Sequence, residues 1–587
     1  MASAPAAEPP CRPGWPPDPP MTLDIPQAEA LFKRAVELQQ QGDLTQARAL
    51  YERILASHGQ HYHALHLLGV IASVQGDQFL ARRLIESSLA VAPDDPDAWA
   101  NLAQVLLHMG RCAEAIDCCD RSIVLNGENS RTQLTRGKAL RIIERYEEAI
   151  ASLDAALMLQ PDLAEAHAQR GFCLHGLERY QEAVQAYDLA LQARADPEVL
   201  NHRGHALFVL ERRDEAVRDI DHALRIAPDF AEAHYHQGML LQHDKRYADA
   251  LQCYRRAVQL NPDHAQAWIR LAFVLSRLKG SPHECVAALD RALRAKPADP
   301  DALSARAGLL TGLRLLNDAL ADYDRALELA PNDAKTHSDR GECLLLQKRP
   351  QEAALAFRRA LALGGDKVGL AYVLASLGED APPPTAPQDY VVNLFDWYAE
   401  TFDNHLQGRL NYQTPELVCA QIARLRPQGA MDILDLGCGT GLCGPLLKPL
   451  ARRMVGVDLS PNMLEVARKR EIYDELVCSD LSQFMAGKIG QYDLIVCTDV
   501  FIYVGVLDHV FESARQTLRP GGLFAFSLER SEDEDLVLRP SRRYAHSLRY
   551  IGNLATAHGF ETVKVEPSVI RQEGGQDLDG FLVVLQR

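Results

Sequence analysis

Long apolar runs are missing from this chain: no stretch of its 587 residues reaches the roughly 18 continuous apolar residues of a membrane span. The beginning also lacks a basic segment followed by an apolar run, so the reading is a soluble intracellular protein. Paired cysteines are missing too. The 13 cysteines are scattered, Cys118 and Cys119 are adjacent, and none stand as Cys-x-x-Cys, so neither a zinc site nor a disulfide framework is indicated and a reducing cytoplasm fits. Positive charge is in deficit. With 62 Lys and Arg against 79 Asp and Glu, the net charge of −17 argues against unaided nucleic-acid binding, which needs clustered cations to meet phosphate. What remains, 47% hydrophobic and 24% charged over a length sufficient for two or more domains, is ordinary globular composition.

Residues 1–26 are rich in proline and alanine and too poor in large apolar groups to pack a core, and read as a disordered leader. From Gln27 the sequence repeats itself. Small residues recur at Ala35, Gly69, Ala103, Gly137, Gly171, Gly204, Gly238, Ala272, Ala307 and Gly341, a spacing of 34 within one residue. A second series, including Ala47, Ala81, Ala115, Ala149, Ala183, Ala216 and Ala250, follows most of these by twelve. A third includes Ala156, Ala190, Ala223 and Ala257, while Tyr187, Tyr254, Tyr323 and Phe357 fill space between helices that small residues let approach. Prolines at 93, 161, 228, 262, 297 and 331 stop each second helix. This resembles the tetratricopeptide repeat, about ten units over residues 27–364, with 365–377 as a capping helix for the open end. The turn Lys279-Gly280-Ser281-Pro282 carries an extra residue and predicts a longer loop. The resemblance implies a protein or peptide partner in a groove lined by first helices. Gln169, His202, His236 and Arg270 either form a ladder there or are ordinary solvated surface.

Residues 378–388, with Pro382-Pro383-Pro384 and Pro387, read as a short stiff linker that permits either docking or independent tumbling. Leu394 to Arg424 reads as two helices whose aromatic residues are either core or a lid. Then Met431 to Leu436 forms an apolar strand that breaks into a glycine-rich turn, with a helix predicted from Leu442. Strands at 454–457, 475–478, 492–497 and 522–528 alternate with helices, the last spanning Ser541 to His558, and predict a parallel sheet covered on both faces. Two final strands, 562–570 and 580–585, are too closely joined to be anything but antiparallel.

Asp435-Leu436-Gly437-Cys438-Gly439-Thr440-Gly441 and the acids at later strand ends resemble the class I S-adenosylmethionine-dependent methyltransferases over residues 389–587. The expected fold is thus an all-α repeat solenoid followed by an α/β Rossmann-like domain, a seven-stranded parallel sheet with an antiparallel last strand. The resemblance implies S-adenosyl-L-methionine as cofactor, held by Asp435, Gly437, Cys438, Gly439 and Gly441 at the turn. It also implies Asp458 and Leu459 at the ribose, Asp480 and Leu481 at the adenine, and Asp499 at the mouth, with Tyr398 and Phe402 from the preceding segment. A dinucleotide dehydrogenase fits less well, because Leu442 stands where the third glycine of its fingerprint belongs. A phosphate-loop hydrolase lacks its Gly-Lys-Ser or Gly-Lys-Thr.

Methyl transfer gains most from holding nucleophile and methyl together, and needs a base only for some acceptors. The candidates are His405, Asp499, Tyr503 and His546. Val500-Phe501-Ile502-Tyr503 lacks the Asn-Pro-Pro-Tyr of many nucleic-acid amino-methyltransferases, and the acidic run Ser531 to Asp535 either attracts a basic substrate or is a solvated loop. Phe395 to Leu406 and Tyr544 to Tyr550 resemble predicted methyltransferases fused to tetratricopeptide repeats. Two functions follow: a methyltransferase whose repeats recruit or orient the acceptor or a partner, or a scaffold whose sheet domain holds cofactor without turnover.

Overall fold

The computed structural model describes residues 23–399, 402–403, 412–426, 430–573 and 576–587. These fall into two units, divided after Ala295. The first is a succession of antiparallel helix pairs from Ile25–Gln40 to Pro282–Ala295. Helix Ile25–Gln40 starts inside the stretch read as leader, because Asp24 caps it and the Gln27 side chain returns the bond. The small-residue series explains the pairing. A Cβ added at Gly238 would lie 2.7 Å from Cε1 of Tyr254, so the ring occupies space that only glycine leaves. The alanines of the second series, Ala47 to Ala250, are fully buried.

Within each pair the chain turns through a left-handed residue. Early turns use Gly42, Gly76 and Gly110, whereas Glu144, Glu178, Glu211 and Lys245 hold the same conformation without glycine. Three residues separate His243 from Tyr247, but four separate Arg277 from Pro282, the longer loop that Gly280-Ser281 predicts.

The second unit opens with helices Pro300–Gly312, Leu316–Leu329, Ala334–Leu346 and Pro350–Ala362, followed by Lys367–Ser376. Helices Gln388–Tyr398 and Thr414–Leu425 then lead into the sheet. Its strands are β1 (Met431–Leu436), β2 (Ala451–Asp458), β3 (Glu475–Cys478), β4 (Tyr492–Cys497), β5 (Leu518–Glu529), β8 (Glu561–Glu573) and β9 (Gln576–Gln586); β6 (Leu536–Leu538) and β7 (Tyr544–His546) form a separate antiparallel ribbon. The sheet order is β3-β2-β1-β4-β5-β9-β8, and β9 alone runs against its neighbours. Leu434 and Leu436 pack on one face with Phe524 and Phe526, and Ile433 packs on the other with Met454 and Leu494. That burial on both faces is why the strands read as continuous apolar runs.

Two sequence expectations need correction. The helix after the glycine turn is a single turn, Gly444–Leu447, continued by a 3-10 turn at Lys448–Leu450, because Pro449 cannot sit within an α-helix. The helix predicted across Ser541 to His558 begins only at Leu548. Tyr544, Ala545 and His546 are buried as β7, and Ser547 caps the helix.

The linker is neither loose nor a spacer. The Pro384 carbonyl accepts from the backbone N–H groups of Gly505 and Val506, and Ala386 N–H donates to the Tyr503 carbonyl at 2.8 Å. The Tyr544 hydroxyl donates to the Pro383 carbonyl. Helix Lys367–Ser376 joins this contact through Tyr372, whose hydroxyl donates to the Arg542 carbonyl at 2.7 Å and whose ring lies 5.2 Å from that of Tyr390. The Arg542 guanidinium pairs with Glu342 on helix Ala334–Leu346.

Candidate functional site

The glycine turn follows β1 at the carboxyl edge of the sheet, beside the point where strand order reverses between β1 and β4. Gly437 and Gly439 both hold left-handed backbone, with φ of 67° and 54°. They do so for different reasons. A Cβ on Gly437 would strike Val500, whereas one on Gly439 would project into open space with no atom within 4 Å. That open face belongs to a cavity of about 380 Å³ lined by Gly437, Cys438 and Gly439, by Asp458 and Leu459 after β2, and by Asp480 and Leu481 after β3. Asp499, Tyr503 and Phe402 line it as well.

The Asp458 carboxylate accepts from Gly439 N–H and Ser460 N–H, both at 2.9 Å. Burial pushes its carboxyl above the usual range, so further donors in the cavity would favour the ionised form. Asp480 caps the short helix after β3 with one oxygen, which accepts from Ser482 and Gln483 N–H groups. Capping therefore coexists with a place in the wall. Two acids at the ends of adjacent strands and a bare backbone bend thus share one apolar cavity, a combination suited to a diol, an amino-purine and a chain passing close to glycine. These groups fit an adenosyl ligand.

Asp499 has a strained, left-handed backbone at φ 56°. Ser527 holds it there: the buried hydroxyl accepts from Asp499 N–H at 2.7 Å and donates to its carboxylate at 3.0 Å. The second carboxylate oxygen meets Arg571 at 3.3 Å. Tyr503 packs edge-on against Phe395 at 5.5 Å, and burial raises its hydroxyl pKa, an effect moderated by Arg543. Phe402 meets the same Phe395 ring, and two residues of this segment tie down the rim. Asp396 accepts from the Ser460 hydroxyl, and Asp403 accepts from Thr440 and Arg470.

Asp435, Gly441 and His546 do not line the cavity. The Tyr473 hydroxyl donates to Asp435 at 2.6 Å, and burial lifts its pKa to about 7. Gly441 is also behind the wall, where an added Cβ would meet Tyr473 at 2.9 Å. His546 is fully buried in β7, with Nε2 bonded to the Gly505 carbonyl and its pKa lowered to about 4 by burial, and it does not line the cavity. Tyr398 ends helix Gln388–Tyr398, and His405 lies outside the described residues. Two acids of the run are engaged: Asp535 binds Ser547 and Arg549, and Glu532 pairs with Arg530.

Sequence reasoning missed Thr385, Ala386, Thr498, Arg543 and Arg571, all in the cavity wall, while Tyr412, one of the aromatics read as core or lid, lines it too. Arg571 sits beside a bulge. Val569 pairs with Asp579 but Arg571 with Leu578, so Ile570 is extra and both Ile570 and Arg571 are buried. An arginine directly after Val569-Ile570 in a strand was the one available signal.

In the repeats, the four ladder residues do not stand alone. His175 Nε2 lies 2.9 Å from His205 Nδ1, the His205 and His236 rings are 4.7 Å apart, and His264 pairs with Glu232 at 3.0 Å. Gln169 accepts from Arg141, and His236 bonds Asn201.

Residues 434–526 match a family model described as a methyltransferase domain, and residues 26–78, 80–129, 134–198, 231–264 and 309–367 match tetratricopeptide repeat models. The chain is similar to the ubiquinone biosynthesis O-methyltransferase of Xanthomonas axonopodis pv. citri, 29% identical over 19% of this chain and 47% of that protein. It is similar to the malonyl-[acyl-carrier protein] O-methyltransferase of Acetivibrio thermocellus, 34% identical over 18% and 37%. It is also similar to the 18S rRNA (guanine-N(7))-methyltransferase of Bos taurus, 39% identical over 11% and 23%. The chain thus spans less than half the length of these curated relatives. Motif, sheet order and family models agree that this chain carries tetratricopeptide repeats and a class I methyltransferase domain.

Proposed function

We propose that the protein is an S-adenosylmethionine-dependent methyltransferase whose repeats recruit a partner protein or orient the acceptor, working in the reducing cytoplasm. One observation carries the reading: the open face of Gly439, Asp458 and Asp480 border a single cavity. Bound there, the donor would supply an electrophilic methyl on a sulfonium. Gly437 and Gly439 admit the ligand chain, Asp458 accepts from the ribose hydroxyls, and Asp480 with Leu481 receives the adenine. The apolar walls exclude water from the reacting atoms. Asp396 and Asp403, bonded to Ser460 and Thr440, hold the preceding segment across the rim. No helix of the described residues is long and apolar enough to cross a membrane.

Isothermal titration with S-adenosylmethionine tests this. Gly439→Arg abolishes binding by filling the cradle, and Asp458→Ala weakens it by about tenfold or more, the value of charge-assisted bonds. Undiminished binding in both variants refutes the assignment.

A scaffold that holds the donor without turnover is the second reading, and one observation favours it. Both base candidates in the wall are engaged, Asp499 by Ser527 and Arg571 and Tyr503 by Arg543. Transfer of labelled methyl into cell extract separates the two readings, since persistent absence of product despite donor binding supports the scaffold.

A further inference from the structure

The parts of the cavity wall are held in place by different means. Gly439, Asp458 and Asp480 lie at the ends of β1, β2 and β3, and the linker is fixed to Tyr503, Gly505 and Val506 by backbone bonds. Val391, Leu394 and Phe395 of helix Gln388–Tyr398 line the cavity too, with Phe402 just beyond that helix. Among the described residues, no backbone–backbone hydrogen bond joins this stretch to the sheet. Side chains hold it instead. Asp396 accepts from the Ser460 hydroxyl at 2.5 Å through its carboxylate and from the Asn462 amide at 3.3 Å through its carbonyl. Asp403 accepts from the Thr440 hydroxyl at 2.5 Å and pairs with Arg470. The stretch is thus fastened to the turn after β2 and to the glycine turn after β1, and Phe395 rests on Tyr503 after β4. It crosses the point where strand order reverses. The outer fastening is partly open to water, with the Asp403 side chain 31% exposed and that of Arg470 27%. A few hydrated side-chain bonds of this kind open without unfolding the elements beneath them.

We propose that helix Gln388–Tyr398, with Phe402 and Asp403, is a strap that lifts to admit and release the donor, and that Asp396 and Asp403 are its two fasteners. This rests on the donor reading above and adds the control of entry to the same site. Lifting breaks the two carboxylate contacts and withdraws Leu394, Phe395 and Phe402 from the wall, while Gly439 and Asp458 stay in place at the ends of β1 and β2. Closing removes water from around the sulfonium. Neither Asp396 nor Asp403 lines the cavity, so the fasteners set how fast the donor exchanges rather than how tightly it is held.

Surface plasmon resonance on the captured full chain, with S-adenosylmethionine passed over it, tests this. Asp396→Ala and Asp403→Ala each raise the association and dissociation rate constants together by about fivefold or more, while Kd stays within about twofold. Arg470→Gln, which removes the ion pair from its other side, accelerates exchange in the same direction, and adding it to Asp403→Ala brings no further gain. Hydrogen exchange distinguishes a lifted strap from a loosened domain: peptides within 388–399 lose protection in the variants, while those of β1 and β2 keep theirs. Unchanged rate constants in all three single variants overturn the proposal. So does faster dissociation with unaltered association, because the carboxylates then belong to the bound complex and not to the way in. Wild-type protein that binds no S-adenosylmethionine removes the donor reading, and the strap's role falls with it.

Discussion

Acidification should open the middle of the repeat array before it disturbs the rest, and the histidines set the scale. Burial lowers His175 to about 3, with His205 and His202 adding repulsion, and lowers His202 to about 4. Burial likewise holds His205 and His236 below the ordinary value. These groups are bases with depressed folded pKa values, so the native array binds fewer protons than the unfolded chain once pH falls below the unfolded value near 6.5. Their contribution is intact above about pH 6.5 and is lost as pH falls toward the folded values. At pH 5, each of His175 and His202 costs about 2 kcal/mol relative to neutral pH, and the pair costs about 4 kcal/mol. Glu232 works against this, because its carboxylate faces His264 at 3.0 Å and gains from a charged partner.

Repeat arrays lose structure locally, so the readout must be local. Hydrogen exchange followed by mass spectrometry, corrected for the intrinsic pH dependence, should show peptides within 164–264 losing protection between pH 7 and pH 5 while 62–125 changes less. His202→Gln should remove part of the difference, since it removes one of the four depressed titrations. Equal protection at both pH values, or a variant that responds like the parent, refutes the argument that these rings are held neutral by burial.

Two further outcomes follow from single contacts. Lys245→Gly should raise stability by about 1 kcal/mol, because Lys245 holds φ 59° where glycine has no steric cost, and a chemical denaturation midpoint that does not rise contradicts the turn geometry. Tyr372→Phe deletes the bond to the Arg542 carbonyl, so residues 539–543 should exchange faster by a factor corresponding to about 1 kcal/mol; unchanged exchange there would mean that the ring contacts alone hold helix Lys367–Ser376 in place.

The repeats were legible because their code is local and redundant: Gly238 faces Tyr254, and Gly341 faces Phe357 in the same way. The sheet was legible because β1, β2, β4 and β5 put apolar residues on both faces. What escaped depends on contacts distant in sequence. Tyr544 to His546 are strand because β6 pairs with them and Gly505 accepts from His546, and neither partner is evident from the segment itself. Asp435 carries the motif but is bonded to Tyr473, a partner 38 residues away that the motif does not name. Arg571 needed a bulge, and one inserted residue reverses every assignment made by alternation.

The same long-range contacts change what the proline-rich segment means. Pro384, Thr385 and Ala386 are bonded to Tyr503, Gly505 and Val506, and Thr385 and Ala386 are themselves part of the cavity wall. Arg542 reaches Glu342 of the last helix pair, while its neighbour Arg543 lines the cavity. Tyr372 and Ala375 belong to the same apolar cluster as Val391, Leu538 and Tyr544. A chain cut at residue 389 would therefore lose one side of that cluster and part of the cavity wall at once. The linker is part of that wall, and helix Lys367–Ser376 packs on the apolar cluster beside it.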